Sequence, residues 1–335
     1  MKAVSTTARA VRILPVVAAL ALVCLLSIAM GSKPLSPIAI LDALLGDAPA
    51  GDAYIVWQLR GSRTLLGLAV GAALGVSGML IQALTRNPLA DPGVLGVTSG
   101  AAFAVAVTIS LLGLTSVSDY RWAALLGALA VTVLVYLIGS SGRGPIDPAR
   151  LTLAGVALAA VLQGVVSALL LLDPRAFDIM RGWNAGTIAS RGLEVLLPVL
   201  PLIGLGILIA AAVSPSLNAV AMGDDVAVAL GVPLRTVRVL VVVAVTLLAG
   251  GATAAAGPLL FIGLMVPHIA RLLVGADQRW IFAYSLLLGP ILLLASDVAG
   301  RLIMMPGEIP VGILTAFVGA PVLIVLIRRR REVAA

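Results

Sequence analysis

One histidine, one cysteine and two lysines leave this 335-residue chain little with which to do covalent chemistry. His268 alone cannot supply the paired histidines of an H-E-x-x-H zinc site, and its setting in Val266-Pro-His-Ile-Ala-Arg271 reads as structural. Cys24 lies in an apolar run and excludes an internal disulfide or a cysteine metal cluster. Neither Lys2 nor Lys33 closes the G-x-x-x-x-G-K loop that cradles a nucleotide's phosphates. Asp224-Asp225 has the look of a magnesium pair, but adjacent acids at a helix start more simply complement the helix dipole. We therefore expect no catalytic, cofactor or metal site. If the chain moves solute uphill, a partner must supply the energy.

The polar groups that remain are arginines and two loops. Arg60, Arg63 and Arg301 stand at the mouths of apolar segments. They would either anchor to lipid headgroups or receive carboxylates through bidentate hydrogen bonds. Gln82-Ala-Leu-Thr-Arg-Asn-Pro-Leu-Ala-Asp-Pro-Gly93 is a rigid turn fixed by two prolines and a glycine. The longest loop on the side read below as cytoplasmic, 214–238, contains Gly223-Asp-Asp-Val-Ala-Val-Ala-Leu-Gly231, which predicts a short helix with acids in its first turn and glycine as its stop. Its apolar face needs burial, against this protein's own helices or in a partner's groove.

What positions these groups is a membrane bundle. Hydrophobic residues make up 61% of the chain and charged residues 11%, with mean hydropathy +1.16. A span needs about 20 mostly apolar residues, so there is material for about ten. Long unbroken apolar runs exclude a transmembrane β-barrel, whose strands alternate. We read one all-α integral membrane domain over 1–335, with spans at 13–31, 64–84, 94–114, 122–140, 151–172, 193–213, 239–256, 257–270, 281–300 and 309–327. The eighth is short enough to be re-entrant, and the first is too long for a signal peptide's apolar core.

Charge sets the orientation. The net charge of +7 resides at span ends, so it reports topology and not nucleic acid. Fourteen of the 22 positive residues fall on one side: Lys2, Arg9, Arg12, Arg86, Arg143, Arg150, Arg235, Arg238, Arg271, Arg279 and Arg328 to Arg331. That side, with both termini, is predicted to be cytoplasmic. Mid-span ionisable groups are missing from this reading; the nearest pair is Asp297 with Arg301, one helical turn apart. An ion-driven carrier is disfavoured accordingly. Gly67, Gly71, Gly75 and Gly78 form a small-residue ridge, which we assign to helix packing inside the chain.

Five stretches now carry a resemblance: Arg63-Thr-Leu65, Asn87-Pro-Leu-Ala-Asp-Pro-Gly93, Leu151-Thr-Leu-Ala-Gly-Val-Ala157, Gly257-Pro-Leu-Leu-Phe-Ile-Gly-Leu-Met-Val-Pro-His268 and Gly307-Glu-Ile-Pro-Val-Gly312. From about residue 55 to its end the chain resembles the FecCD-type permeases, membrane subunits of binding-protein-dependent ABC importers for ferric siderophores, haem and cobalamin. Arg150-Leu-Thr-Leu-Ala-Gly-Val-Ala-Leu-Ala-Ala160 and Gly275-Ala-Asp-Gln-Arg-Trp280 look most like ferric enterobactin-type members.

The resemblance implies a cobalamin-importer-like (type II) fold of ten helices in the bacterial cytoplasmic membrane, paired with a second permease subunit around the path. It implies two cytoplasmic ATPase subunits that use ATP and Mg, and an extracytoplasmic substrate-binding protein. Gly223, Asp224, Asp225, Ala229, Leu230 and Gly231 match the coupling helix that sits in the ATPase. Arg60, Arg63 and Arg301 match arginines that receive the binding protein's acids. Asn87 and Leu89 match a cytoplasmic gate, whose companion falls on Pro148 and Ala149. The cobalamin permease has small hydroxyl residues at that companion gate, which disfavours cobalamin as substrate. Haem or cobalamin import by the same machinery is the alternative. A carrier working without ATP is the competing class, and would transport in vesicles lacking any ATPase.

Overall fold

The computed structural model describes Arg9, residues 11–31, Lys33, residues 35–141 and residues 148–334, without the side chains of Leu44, Pro148 and residues 325–334. Lys2 and Arg143, and the side chains of Pro148 and Arg328 to Arg331, lie outside what is described. Among the described residues the chain is all-helical: α1 (Ile13–Ala29), α2 (Pro37–Leu45), α3 (Ala50–Tyr54) running through a π-turn (Ile55–Gly61) into α4 (Ser62–Thr85), α5 (Val97–Leu112), α6 (Val117–Ser140), α7 (Pro148–Leu172), α8 (Pro174–Asn184), α9 (Leu193–Met222), α10 (Asp224–Ala229), α11 (Leu234–Ala256), α12 (Ile262–Val274), α13 (Gln278–Ile303) and α14 (Val311–Ala334). Six of these segments are long and apolar enough to cross a membrane, and α1, α5, α12 and the start of α14 are shorter apolar helices. Each of the ten expected spans falls on one of them.

The glycine ridge explains why α4 lies at the centre. A Cβ on Gly71 would sit 2.6 Å from the Pro290 backbone, and one on Gly75 2.7 Å from the Ser285 carbonyl, both on α13. Gly78 faces the Gly263 backbone at the start of α12. Lipid gives helices no hydrophobic reason to associate, so close backbone approach must supply the packing energy. The ridge therefore packs within the chain, as its spacing suggests.

The structure differs from expectation at two span boundaries and in three added helices. The eighth span begins at Ile262, five residues late, because Gly257 (φ 77°) and Phe261 (φ 68°) hold 257–261 out of the helix. At 13 residues α12 is about 20 Å long, short of a ~30 Å hydrocarbon core. The sixth span runs on to Met222 through Pro215, while the Ser214 hydroxyl donates to the Ala210 carbonyl at 2.6 Å. The loop expected at 214–238 thus shrinks to the few residues around α10. Finally, α2, α3 and α8 were not anticipated, although Ser36-Pro37 and Asp173-Pro174 are capping residues followed by proline at the first helical position.

Irregular backbone near the arginine-bearing end is stitched together. Thr187 N–H donates to the Ala256 carbonyl at 2.8 Å and Gly312 N–H to the Gly186 carbonyl at 3.0 Å. Non-helical chain survives at membrane depth only where protein satisfies its amides in this way.

Candidate functional site

The three arginines singled out by sequence converge at one end. Arg60, delivered by the π-turn, donates from Nη1 to the carbonyls of Ile28 (2.9 Å) and Ala29 (2.7 Å), and from Nη2 to that of Lys33 (2.6 Å). Arg301 donates from Nη1 to the carbonyls of Ser27 (2.9 Å) and Met30 (2.6 Å). A helix end leaves its last carbonyls without intrahelical partners; here two guanidinium groups cap α1. Between them the Ser27 and Thr64 hydroxyls lie 2.8 Å apart.

Arg63 is committed to acids. Its Nε and Nη2 make a bidentate pair with Asp297 at 2.9 and 2.7 Å, and its Nη1 reaches Glu308 at 2.7 Å. Asp297 also takes Arg301 Nη2 at 2.9 Å, the expected one-turn pair. The Asp297 and Arg301 side chains are 1% and 2% exposed, so this pair is shielded from water. All three guanidinium groups are thus engaged internally, and anchoring the bundle is a role the structure gives them directly.

Sequence reasoning passed over a fourth arginine. Arg60, Arg63 and Arg301 line a cavity of about 560 Å³ together with Arg191, Glu194 and Glu308. Arg191 follows Ser190, which sits at φ 53°, in the loop between α8 and α9. It is 8% exposed, yet its Nη1 has no hydrogen-bond partner and no carboxylate among the described residues pairs with it. Glu194, three residues on, instead accepts from the Gly192 N–H at 3.2 Å. No spacing in the sequence marks Arg191; only the tertiary structure shows that its charge is unanswered.

At the opposite end, α10 is pinned by its first acid. Asp224 accepts from Arg86, just beyond α4, and from Arg238 on α11 at 2.6 Å. Arg86 also donates to the Val220 carbonyl at the end of α9 (2.9 Å). Ala227 faces inward and is fully buried, while Val226, Val228 and Leu230 face out. Asp225, Ala229 and Gly231 are exposed, and Gly223 (φ 124°) and Gly231 (φ 77°) make the turns on either side.

The turn after α4 holds itself. The Asn87 side-chain oxygen accepts from Leu89 N–H at 3.0 Å, and Asp91 from Gly93 N–H at 2.8 Å. Burial pushes the Asp91 carboxyl above its ordinary range, a rise the Gly93 N–H partly offsets. Gln82 donates to the carbonyls of Ala90, Gly263 and Leu264 and accepts from Arg271. Leu89 lines a cavity of about 450 Å³ with Arg86, His268 and Arg271. Ala149 is exposed near the start of α7, which packs on this turn through Gly155 beneath the Val94 carbonyl.

A polytopic helical bundle, charged at both ends and lined with small residues between, is the architecture of a membrane permease. Residues 19–329 match the FecCD transport family, and the chain belongs to that family. It is 47% identical over 309 residues to the Escherichia coli ferric enterobactin transport system permease protein FepD, covering 91% of each chain. It is 36% identical over 322 residues to the Yersinia pestis hemin transport system permease protein HmuU, covering 93% of this chain and 95% of that one. A solved structure described as an inward-facing conformation of a metal-chelate type ABC transporter superposes with TM-score 0.84 at 29% identity, over 94% of this chain and 98% of that one.

Proposed function

We infer that the chain is the membrane-spanning permease subunit of a binding-protein-dependent ABC importer that brings a ferric siderophore of the enterobactin type across the bacterial cytoplasmic membrane. The observation that carries this reading is α10: a short helix tied to α4 and α11 through Asp224, with Val228 and Leu230 turned outward. Such a helix suits a groove in a partner and transmits that partner's motion to the two helices it is tied to. The 47% identity to FepD supports the substrate. That HmuU shares the family at 36% identity keeps haem as the alternative.

In this reading the α10 end and both termini are cytoplasmic. Two ATPase subunits bind ATP and Mg there, and this chain binds neither. A loaded binding protein docks on the end bearing Arg60, Arg63 and Arg301, and a second permease subunit completes the path. Asn87 and Leu89, with Pro148 and Ala149, stand at the cytoplasmic gate. ATP and the binding protein each prefer one state of the permease pair, and their differential contacts alternate its access.

The test is uptake of radiolabelled iron by an iron-starved strain deleted for the gene, supplied as ferric enterobactin, ferric hydroxamates or haem, alongside labelled cobalamin. Restoration of ferric enterobactin uptake by the wild-type gene, lost when the ATPase gene is also deleted, is the expected result. Restored haem or cobalamin uptake alone replaces the substrate. Uptake that persists without the ATPase replaces the class with a carrier working alone.

A further inference from the structure

We propose that α2 is a membrane-surface helix: Ile38, Leu41 and Leu45, together with Trp57, sink into the lipid leaflet at the arginine-bearing end of the bundle. The occupant of this face is phospholipid, at the level where headgroups meet acyl chains. The inference does not depend on which solute the permease moves.

The helix is set by its own ends. The Ser36 hydroxyl accepts from Ala39 N–H at 3.1 Å, and Pro37 takes the first helical position. Gly46 (φ 93°) stops the helix, and the N–H groups of Gly46 and Asp47 both donate to the Asp42 carbonyl. Within this frame the side chains are inverted relative to a helix on a water-facing surface. Ala43 is turned inward and 1% exposed, whereas Ile38, Leu41 and Leu45, spaced i, i+3, i+7 on one face, are 72%, 55% and 69% exposed. No charge lies on that stripe: Asp42 flanks it, half-buried, and Asp47 follows the helix. Water opposes three large aliphatic side chains displayed together in this way.

The neighbours point to lipid. At 17 residues α1 is about 26 Å long, a few ångströms short of a ~30 Å hydrocarbon core. Only residues 30–36 separate its end from α2, so the chain enters α2 at the depth of the interface. Both helices pack against the π-turn. Next to it α1 turns Leu22 and Leu25 outward and α4 turns Leu65 outward, and the stripe of α2 adds to that apolar coat. Trp57, in the π-turn, donates from Nε1 to the Ala43 carbonyl at 2.9 Å, near the helix end where carbonyls lack intrahelical partners, while much of its ring stays exposed. A tryptophan with its N–H satisfied and its ring outward suits the membrane interface, where such rings concentrate. Held by lipid on one face and by Trp57 on the other, α2 steadies the π-turn that delivers Arg60.

The experiment uses the permease, with the subunits that co-purify with it, in phospholipid nanodiscs. Nitroxide labels are attached one at a time to Ile38→Cys, Leu41→Cys and Leu45→Cys in a Cys24→Ser background. Leu25→Cys on α1 serves as the lipid reference and Asp47→Cys as the water reference. Power saturation compares collisions with oxygen, which concentrates among acyl chains, and with a water-soluble nickel chelate. The oxygen-to-nickel ratio at the three α2 positions should lie close to that at Leu25→Cys and well above that at Asp47→Cys. Ratios equal to the Asp47→Cys value overturn the proposal, because the face then lies in water. Low accessibility to both reagents overturns it as well, because protein then covers the face.

Should the labelled variants fail to assemble, the wild-type complex is photolabelled with a diazirine carried on a phospholipid acyl chain. Insertion at Ile38, Leu41 and Leu45 in yields comparable with Leu22 and Leu25 is the expected result. Labelling of α1 without labelling of α2 overturns the proposal.

Discussion

The two ends of the bundle both gather arginines around an aspartate, and they do so to opposite effect. At one end Asp297 is 1% exposed and bridges Arg63 and Arg301, with every group locked between α1, α4 and α13. At the other, Asp224 is 29% exposed and bridges Arg86 and Arg238, holding one small helix whose apolar side chains point away. The first arrangement closes a buried cluster; the second leaves the outer face of α10 uncovered by this chain. Charge density alone does not mark a docking site. On the function proposed above, the outer face of α10 is the candidate instead, because its apolar side chains find no burial inside the chain.

That contrast is most sharply broken by Asp297→Ala. It removes the acid that two buried guanidinium groups share, leaving Arg63 only Glu308 and Arg301 no acid, and removing one partner of a buried pair costs about 3–5 kcal/mol. We expect little folded protein in membranes and a large drop in the thermal midpoint of what is purified. Survival with near-wild-type stability would mean that the cluster does not hold the bundle. The next largest effect is Gly71→Val, which drives a side chain into the Pro290 backbone. Overpacking of this kind costs about 1–3 kcal/mol. Gly164→Val is the control, since nothing lies within 4 Å of a Cβ there. A similar loss of thermal midpoint in both variants would show that helix propensity, and not contact, governs.

How much of this was legible follows the same division. The spans were readable because lipid imposes a length and an apolarity that no tertiary contact overrides. The glycine ridge was readable because a four-residue repeat stays on one face of a helix. Asp297–Arg301 was readable as an i, i+4 pair, but Arg63, more than 200 residues away, was not part of it. Position at a span mouth suggested that Arg60, Arg63 and Arg301 were available; only the fold shows that carbonyls of α1 and two acids occupy them. Arg191 was invisible for the converse reason, since lacking a partner is a property of the fold. The missed helices α2 and α8 did leave a signal, a capping residue followed by proline, hidden among the apolar runs.

Asp224→Asn sharpens the comparison from the other end. The bridges it weakens are part-exposed, and such pairs are worth about 1 kcal/mol or less. The thermal midpoint should move little. Transport per ATP hydrolysed in proteoliposomes should fall, because α10 would no longer be tied to α4 and α11 through Arg86 and Arg238. Unchanged coupling would mean that packing of Ala227 alone transmits the motion.

The smallest effect on folding is expected for Val228→Ser, and it is the most informative about partners. Val228 is 60% exposed, so its replacement should alter stability by no more than about 0.5 kcal/mol. If α10 lies in a partner's groove, the same change removes apolar area from that interface, and co-purification with the ATPase should weaken while the permease remains intact. If α10 merely covers this protein's own helices, neither quantity should change. A mutation silent in the isolated chain and damaging in the complex is what separates a mounted surface from a structural one.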